Sequence, residues 1–161
     1  MNTVNTTQIT HNETNIHIIG TTHSEKKAFS DKDKCIEESN TILNTLEQLS
    51  FSTLFVELPP NQVKNISKFK DSSPAHSSVE LVAIAKYKSK NRVNIIGVDS
   101  QSMRDLNTYD SSNEMKQISR LARNNTIAYN TLQHLYDKNI QNCVLIIGKH
   151  HMREVTKILS E

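Results

Sequence analysis

The sequence predicts an α/β fold: a single domain with a mainly parallel central sheet of four core strands flanked by helices. First, short apolar runs rich in β-branched residues alternate with longer amphipathic segments, which is the order of βαβ units. Second, each of the three glycines closes the same Ile-Ile-Gly tripeptide, at 18–20, 95–97 and 146–148. Third, the runs at 53–57 and 143–148 are almost wholly apolar, as in parallel strands buried on both faces.

Each element follows from local composition and periodicity. The core strands are predicted at 15–20, 53–57, 92–98 and 143–148. Helices are predicted at 31–50, 61–70, 77–89, 113–137 and 149–159. The polar segment 100–112 is predicted to be a loop with one helical turn. Residues 1–14 are expected to form a flexible N-terminus with an additional edge strand, and residues 15–161 the single domain.

The long helix at 113–137 has apolar residues at steps of three and four, which predicts one buried face. The residues of this predicted face are Met115, Ile118, Leu121, Ala122, Ala128, Tyr129, Leu132 and Leu135. Asn125 falls on the same face, where an apolar residue would be expected.

Composition excludes several classes of function. The net charge is +2, with 19 basic and 17 acidic residues, which is too balanced for a nucleic acid or an anionic membrane to be the main partner. No segment approaches the roughly 18–20 apolar residues of a membrane span, and residues 1–10 lack the features of a signal peptide. We therefore expect a cytoplasmic protein whose partner is a peptide or a small molecule. The oligomeric state is left open.

Cys35 and Cys143 are far apart in the sequence, and each lies in an apolar pattern. Two buried free thiols are the favoured interpretation, ahead of a disulfide.

An ionisable or metal-ligating side chain follows each predicted core strand. His23 follows the first strand, Glu57 ends the second, Asp99 follows the third and the pair His150–His151 follows the fourth. In open α/β sheets, ligands bind outside the carboxyl ends of the strands. The sequence therefore predicts a site at that edge of the sheet.

Helical phase distinguishes the two adjacent histidines. His151, Val155 and Ile158 lie at i, i+4 and i+7, so His151 is predicted to face inward. His150 shares a phase with Glu154, and it is predicted to lie at the surface.

Two imidazoles and a carboxylate at one point are typical of a divalent-metal site with open positions, suited to zinc, manganese or cobalt. In that interpretation His23, His151 and Glu57 are the ligands, and Glu57 is alternatively the general base. A metal-free centre is the other interpretation, with a histidine as base and Glu57 orienting it. Asp99 has a second interpretation as a structural cap, because a carboxylate after a strand often only caps the next segment.

The motifs resemble those of the TraB/GumN/Tiki family. That family has two Gly-X-X-His motifs, which are matched by Gly20 to His23 and Gly148 to His151, and a glutamate after the second core strand, matched by Glu57. An Arg-Asn pair on the long helix is matched by Arg123-Asn124, and an aspartate after the third strand by Asp99. The resemblance covers residues 15–159.

This resemblance implies a compact α/β domain related to erythromycin-esterase-like and ChaN-like haem-binding folds. In the Tiki branch it implies a divalent-metal-dependent protease. Arg123 would then bind a substrate carboxylate or stabilise an oxyanion. Asn124 or Asn125 would assist by hydrogen bonding, and Asp99 and Thr22 would line the substrate site.

Three functions remain open from the sequence. The first is a metal-dependent hydrolase, with a peptidase as its most specific form. The second is a non-catalytic module that binds a peptide, a small anionic ligand or, less in favour, haem. The third is a structural α/β domain whose site has decayed.

Overall fold

The sheet contains five strands in the order β1-β2-β5-β3-β4. The structure is a computed structural model that describes residues 4–22, 31–109 and 112–161. The strands are Asn5–His11 (β1), Thr14–Thr21 (β2), Thr53–Val56 (β3), Asn94–Gly97 (β4) and Asn142–Gly148 (β5). β1 runs antiparallel to β2, and the four core strands are parallel. The predicted α/β class is confirmed, and β1 is the additional edge strand.

The described residues include five α-helices and one 3₁₀ helix. The α-helices are Lys32–Gln48 (α1), Val79–Lys90 (α2), Gln101–Tyr109 (α3), Asn113–Lys138 (α4) and Lys149–Ser160 (α5), and the 3₁₀ helix is Pro60–Phe69. Side chains of Asp31, Ser78 and Ser112 cap the first turns of α1, α2 and α4 by accepting backbone N–H bonds, which satisfies donors that a helix leaves unpaired.

The polar segment after β4 differs from the sequence prediction, because it forms the helix α3 rather than a loop. Gln101 Nε2 donates to Asp105 Oδ1 at 2.8 Å, one turn along the helix, and Arg104 N donates to Ser100 O at 3.1 Å. Such local pairs stabilise a helix that has no long apolar stripe. Hydrophobic periodicity therefore misses it.

Two apolar layers cover the sheet, because side chains alternate between its faces. Along β5, Cys143, Leu145 and Ile147 pack on one face with residues of α4 and α5. Val144 and Ile146 pack on the other face with residues of α1 and α2. Both faces of β5 are thus buried, as its apolar run predicts.

The buried face of α4 matches the predicted one only in part. Ala128 and Leu135 of the predicted face are buried, whereas Met115, Ile118, Leu121 and Tyr129 are 40%, 57%, 56% and 67% exposed. The helix also buries Ser119, Asn124, Ile127 and Thr131. The hydroxyl of Thr131 is satisfied within the helix, because its Oγ1 donates to Ile127 O at 2.8 Å. Apolar spacing therefore predicted the helix and only part of its buried face.

Parallel pairing places the carboxyl ends of β2, β3, β4 and β5 at one edge of the sheet. Val56 lies opposite Ile146 of β5 and Gly97 of β4, and Thr21 lies opposite Gly148. The residues that follow these strands therefore emerge side by side. Within the part of the chain that the structure describes, none of the helices has both the length and the apolar character that crossing a membrane requires.

Candidate active site

Two carboxylates and a guanidinium form the centre of the site. Arg123, on α4, donates from Nε to both oxygens of Asp99 at 3.1 and 3.2 Å, and from Nη2 to Asp99 Oδ2 at 2.7 Å. The same Nη2 donates to Glu57 Oε1. The side chains of Asp99 and Glu57 are 0% and 4% exposed. The arginine therefore links the ends of β3 and β4 through a buried, charge-assisted network.

The pKa of Arg123 reflects this environment. Burial by itself lowers the pKa, but the hydrogen bonds that Arg123 donates to Asp99 and the negative charges of Glu57 and Asp99 together outweigh it. The net result is a pKa above the ordinary value, so Arg123 stays protonated and cannot serve as a base.

Glu57 also contacts the start of α5. Its Oε2 accepts a hydrogen bond from the backbone N–H of Gly148 at 2.6 Å. Gly148 is the N-cap residue of α5, and the N-terminus of a helix favours a negative charge. Glu57 therefore holds the β5–α5 junction, and its Oε1 faces the first turn of that helix.

His151 lies in this first turn and faces inward, as predicted. It is 7% exposed, whereas its neighbour His150 is exposed. Its Nδ1 lies 2.5 Å from Asn124 Oδ1. Because an amide oxygen can only accept, Nδ1 carries a proton, and in the neutral ring Nε2 is left with a lone pair. This Nε2 lies 3.5 Å from Glu57 Oε1.

The facing nitrogen and oxygen fit a shared cation. A lone pair and a carboxylate repel each other unless a proton or a metal ion lies between them. In tetrahedral zinc sites, bonds of 2.0–2.2 Å place nitrogen and oxygen ligands about 3.4 Å apart, close to the separation of Nε2 and Oε1. Asn124 also supplies the second hydrogen bond that usually orients a metal-binding histidine.

Asn124 has a further donor that is not satisfied. Its Nδ2 has no hydrogen-bond partner among the described residues, and the residue is 1% exposed. Unsatisfied buried groups are rare in folded proteins. The acceptor for this donor therefore comes from outside the described residues.

A third buried carboxylate, Glu38, lies on α1 at the end of β2. It is 3% exposed, and it accepts from Thr22 N at 2.7 Å and from Thr22 Oγ1. Thr22 immediately precedes His23. Glu38 therefore fixes the point at which the chain leaves β2, and the sequence prediction missed it.

A sequence signal for Glu38 was present. Cys35, Glu38, Ile42 and Leu46 follow one another at steps of three, four and four, and all four are buried. Helical phase alone therefore places this glutamate on the inward face.

The glycines at these strand ends permit close approach. A Cβ on Gly20 would lie 2.7 Å from Met152 Sδ and 3.3 Å from Lys149 Cα, and one on Gly97 would lie 2.5 Å from Leu58 O. A side chain at Gly20 would push α5 away from β2. Gly20 thus lets the first turn of α5, which carries His151, pack against the end of β2.

The structure brings together Glu57, Asp99, Arg123, Asn124 and His151 from four parts of the chain. Asn125 is exposed on α4, and the hydroxyl of Thr22 is directed to Glu38. His23 lies outside the described residues. Over 4–22, 31–109 and 112–161, no group of three or more His, Cys, Asp or Glu side chains is arranged to hold a metal ion.

No family model, curated protein or solved structure matches this chain. The resemblance to the TraB/GumN/Tiki family therefore rests on the motifs alone.

Proposed function

We propose that this protein is a divalent-metal-dependent hydrolase whose centre lies at the carboxyl ends of the strands. The observation that carries the proposal is the pair His151 Nε2 and Glu57 Oε1, 3.5 Å apart with the other ring nitrogen fixed by Asn124. A neutral imidazole and a carboxylate are the ligands that zinc, manganese and cobalt accept. His23, at the end of the first Gly-X-X-His motif, is the third ligand in this proposal.

The residues around the ion have distinct tasks. When bound, the cation would polarise a substrate carbonyl and lower the pKa of a coordinated water. Asn124 holds the imidazole in one tautomer and one orientation. Arg123 and the N–H of Gly148 hold the carboxylate of Glu57 in place by charge-assisted hydrogen bonding.

Arg123 is a positioning residue in this proposal. Its Nε and Nη2 are engaged with Asp99 and Glu57, so most of its positive charge is balanced inside the protein. Because Arg123 is already paired with two carboxylates, it is less suited to bind a substrate carboxylate. This pairing also disfavours the alternative of a non-catalytic module for small anions.

A hydrolysis assay tests the proposal. The purified protein, supplied in turn with Mn²⁺, Co²⁺ and Zn²⁺, is incubated with a broad peptide library and with chromogenic ester substrates. We expect cleavage that EDTA abolishes and that Glu57→Gln reduces by at least about 100-fold. Glu37→Gln, an exposed glutamate on α1, is the matched control.

Three outcomes separate the alternatives. Cleavage that survives EDTA but is lost in His151→Ala indicates the metal-free centre, with histidine as the base. Binding of library peptides without turnover indicates a non-catalytic module. A Soret band on haem titration that disappears in His151→Ala indicates a haem-binding protein.

A further inference from the structure

The outer edge of β1 has backbone groups that no described strand pairs. β1 is the first strand of the sheet order, and β2 is its only neighbour among the described strands. The turn between them, Asn12–Glu13, has φ angles of 45° and 68°, which is the type I′ geometry of a two-residue hairpin. His11 and Thr14, which flank this turn, are therefore a hydrogen-bonded pair.

In an antiparallel pair of strands, hydrogen-bonded and non-hydrogen-bonded residue pairs alternate. This alternation fixes which residues of β1 direct their backbone N–H and C=O groups away from β2. Asn5, Thr7, Ile9 and His11 bond to β2. The N–H and C=O groups of Thr6, Gln8 and Thr10 point away from it, and these three residues are exposed. The described residues provide no backbone partner for them.

This edge also lacks the features that usually prevent strand addition. Proteins protect edge strands with lysine, proline, bulges or inward-pointing charges. β1 has the sequence NTTQITH, with no lysine, no proline and no acidic residue. Its register with β2 is continuous, one residue for one residue, from Asn5 to His11, so no bulge twists the edge away.

The strand is complementary to itself in the antiparallel direction. With Gln8 opposite Gln8 of a second copy, Thr6 lies opposite Thr10 and Thr7 opposite Ile9. In this register the three outward-facing residues all fall in hydrogen-bonded pairs, each of which exchanges two N–H···O bonds. Threonine–threonine and threonine–isoleucine pairs are favourable across strands, and no like charges oppose each other.

We propose that two copies of this chain associate through their β1 strands, antiparallel and centred on Gln8, to form one continuous sheet across a two-fold axis. A symmetric pair of this kind is closed, because each copy contributes the same edge once. A second copy is favoured over an unrelated strand because the sequence of β1 supplies its own complement. The inference is independent of the proposed hydrolase activity.

The oligomeric state tests the pairing. Light scattering coupled to gel filtration, over a dilution series, should show the wild-type protein moving between dimer and monomer. Gln8→Lys places two ammonium groups opposite each other at the two-fold axis and should give a monomer at all concentrations. Gln133→Lys, an exposed glutamine on α4, should behave as wild type. A monomeric wild type, open-ended aggregates, or a Gln8→Lys dimer would overturn the proposal.

Disulfide trapping tests the register. Hydrogen-bonded residues in antiparallel strands have Cα atoms about 5.5 Å apart, which suits a disulfide. Gln8→Cys should therefore form a covalent dimer under mild oxidation. Thr6→Cys should not pair with itself, but it should pair with Thr10→Cys when the two variants are mixed. The native Cys35 and Cys143 are buried and do not compete. Cross-linking of Thr6→Cys alone would place the axis elsewhere and contradict the register.

Discussion

Nε2 of His151 and Oε1 of Glu57 face each other at 3.5 Å, in a buried setting where each side chain is held by other groups. Asn124 fixes the far side of the imidazole ring, and Gly148 N–H and Arg123 fix the carboxylate. Neither side chain can turn away without breaking a buried hydrogen bond. This pre-organised pair is the basis of the proposed metal centre, and its supporting contacts lead to separate predictions.

Removal of Arg123 should destabilise the protein strongly. Arg123→Ala leaves Glu57 and Asp99 as buried carboxylates without their main partner, and breaking such a pair costs about 3–5 kcal/mol. Arg123→Lys restores the charge but not the planar fork, and should recover only part of this loss. The free energy of unfolding in urea measures both effects. Arg120 is an exposed arginine on the same helix, and Arg120→Ala should cost less than about 0.5 kcal/mol. If Arg123→Ala cost no more than Arg120→Ala, the result would contradict the network.

The contact between Thr22 and Glu38 should depend on the hydroxyl. Thr22→Val keeps the shape of the side chain but removes one of the two donors to a carboxylate that is 3% exposed. We expect a loss of about 1–3 kcal/mol in unfolding free energy. Thr22→Ser keeps the donor and should lose clearly less. No loss for valine, together with a loss for serine, would show that the methyl group, and not the hydrogen bond, matters.

Both cysteine thiols should be unreactive in the folded protein. Burial raises the pKa of Cys143 to about 12. Burial and then the negative charges of Glu38 and Asp31 raise the pKa of Cys35. Because the thiolate is the reactive form, Ellman's reagent at pH 8 should detect no free thiol in the native state and both thiols in urea. Rapid labelling of the native protein would contradict the buried positions.

Cys143 should also give stability a defined pH dependence. Its pKa is 9.0 when unperturbed and about 12 when folded. Between these values the unfolded chain releases a proton that the folded chain retains, so the unfolding free energy falls as pH rises. Below pH 9 the contribution of the Cys143 thiol to the unfolding free energy is fully present. Cys143→Ala should therefore show a slope smaller than wild type by up to about 1.4 kcal/mol per pH unit in this range. Identical slopes would contradict the shift.

Asn124 should determine the tautomer of His151. Nitrogen chemical shifts of the imidazole should show the proton of the neutral ring on Nδ1 at pH 8. Asn124→Leu removes the acceptor, and it should both change the tautomer and weaken divalent-metal binding about 10- to 100-fold. Asn125→Leu, at the exposed neighbouring position, should change neither. A ring protonated at Nε2 in the wild type would contradict the proposed ligand geometry.

The sequence predicts much of this site because parallel strands place their ends together. Helical phase in α5 predicted that His151 faces inward and His150 outward, and both are confirmed. Glu57 and Asp99 follow adjacent strands, so their convergence required only the strand order.

The remainder depends on tertiary contacts that composition does not encode. The inward face of α4 includes the polar residues Ser119, Asn124 and Thr131. Hydrophobic spacing therefore selected exposed residues such as Ile118 and Leu121. The pairing of Arg123 with two carboxylates requires three separate segments to meet. The sequence therefore predicts which residues reach the site more reliably than it predicts what each one contacts.

Direct measurement of metal binding tests the central claim. Titration with Co²⁺, followed by its visible absorption and by calorimetry, should show one ion per chain in the wild-type protein. Glu57→Gln, His151→Ala and His23→Ala should each weaken binding strongly, while His150→Ala, the exposed neighbour of His151, should bind as wild type. Circular dichroism confirms that each variant is folded. Unchanged Co²⁺ binding in the double variant Glu57→Gln/His151→Ala would show that this pair is not the metal site.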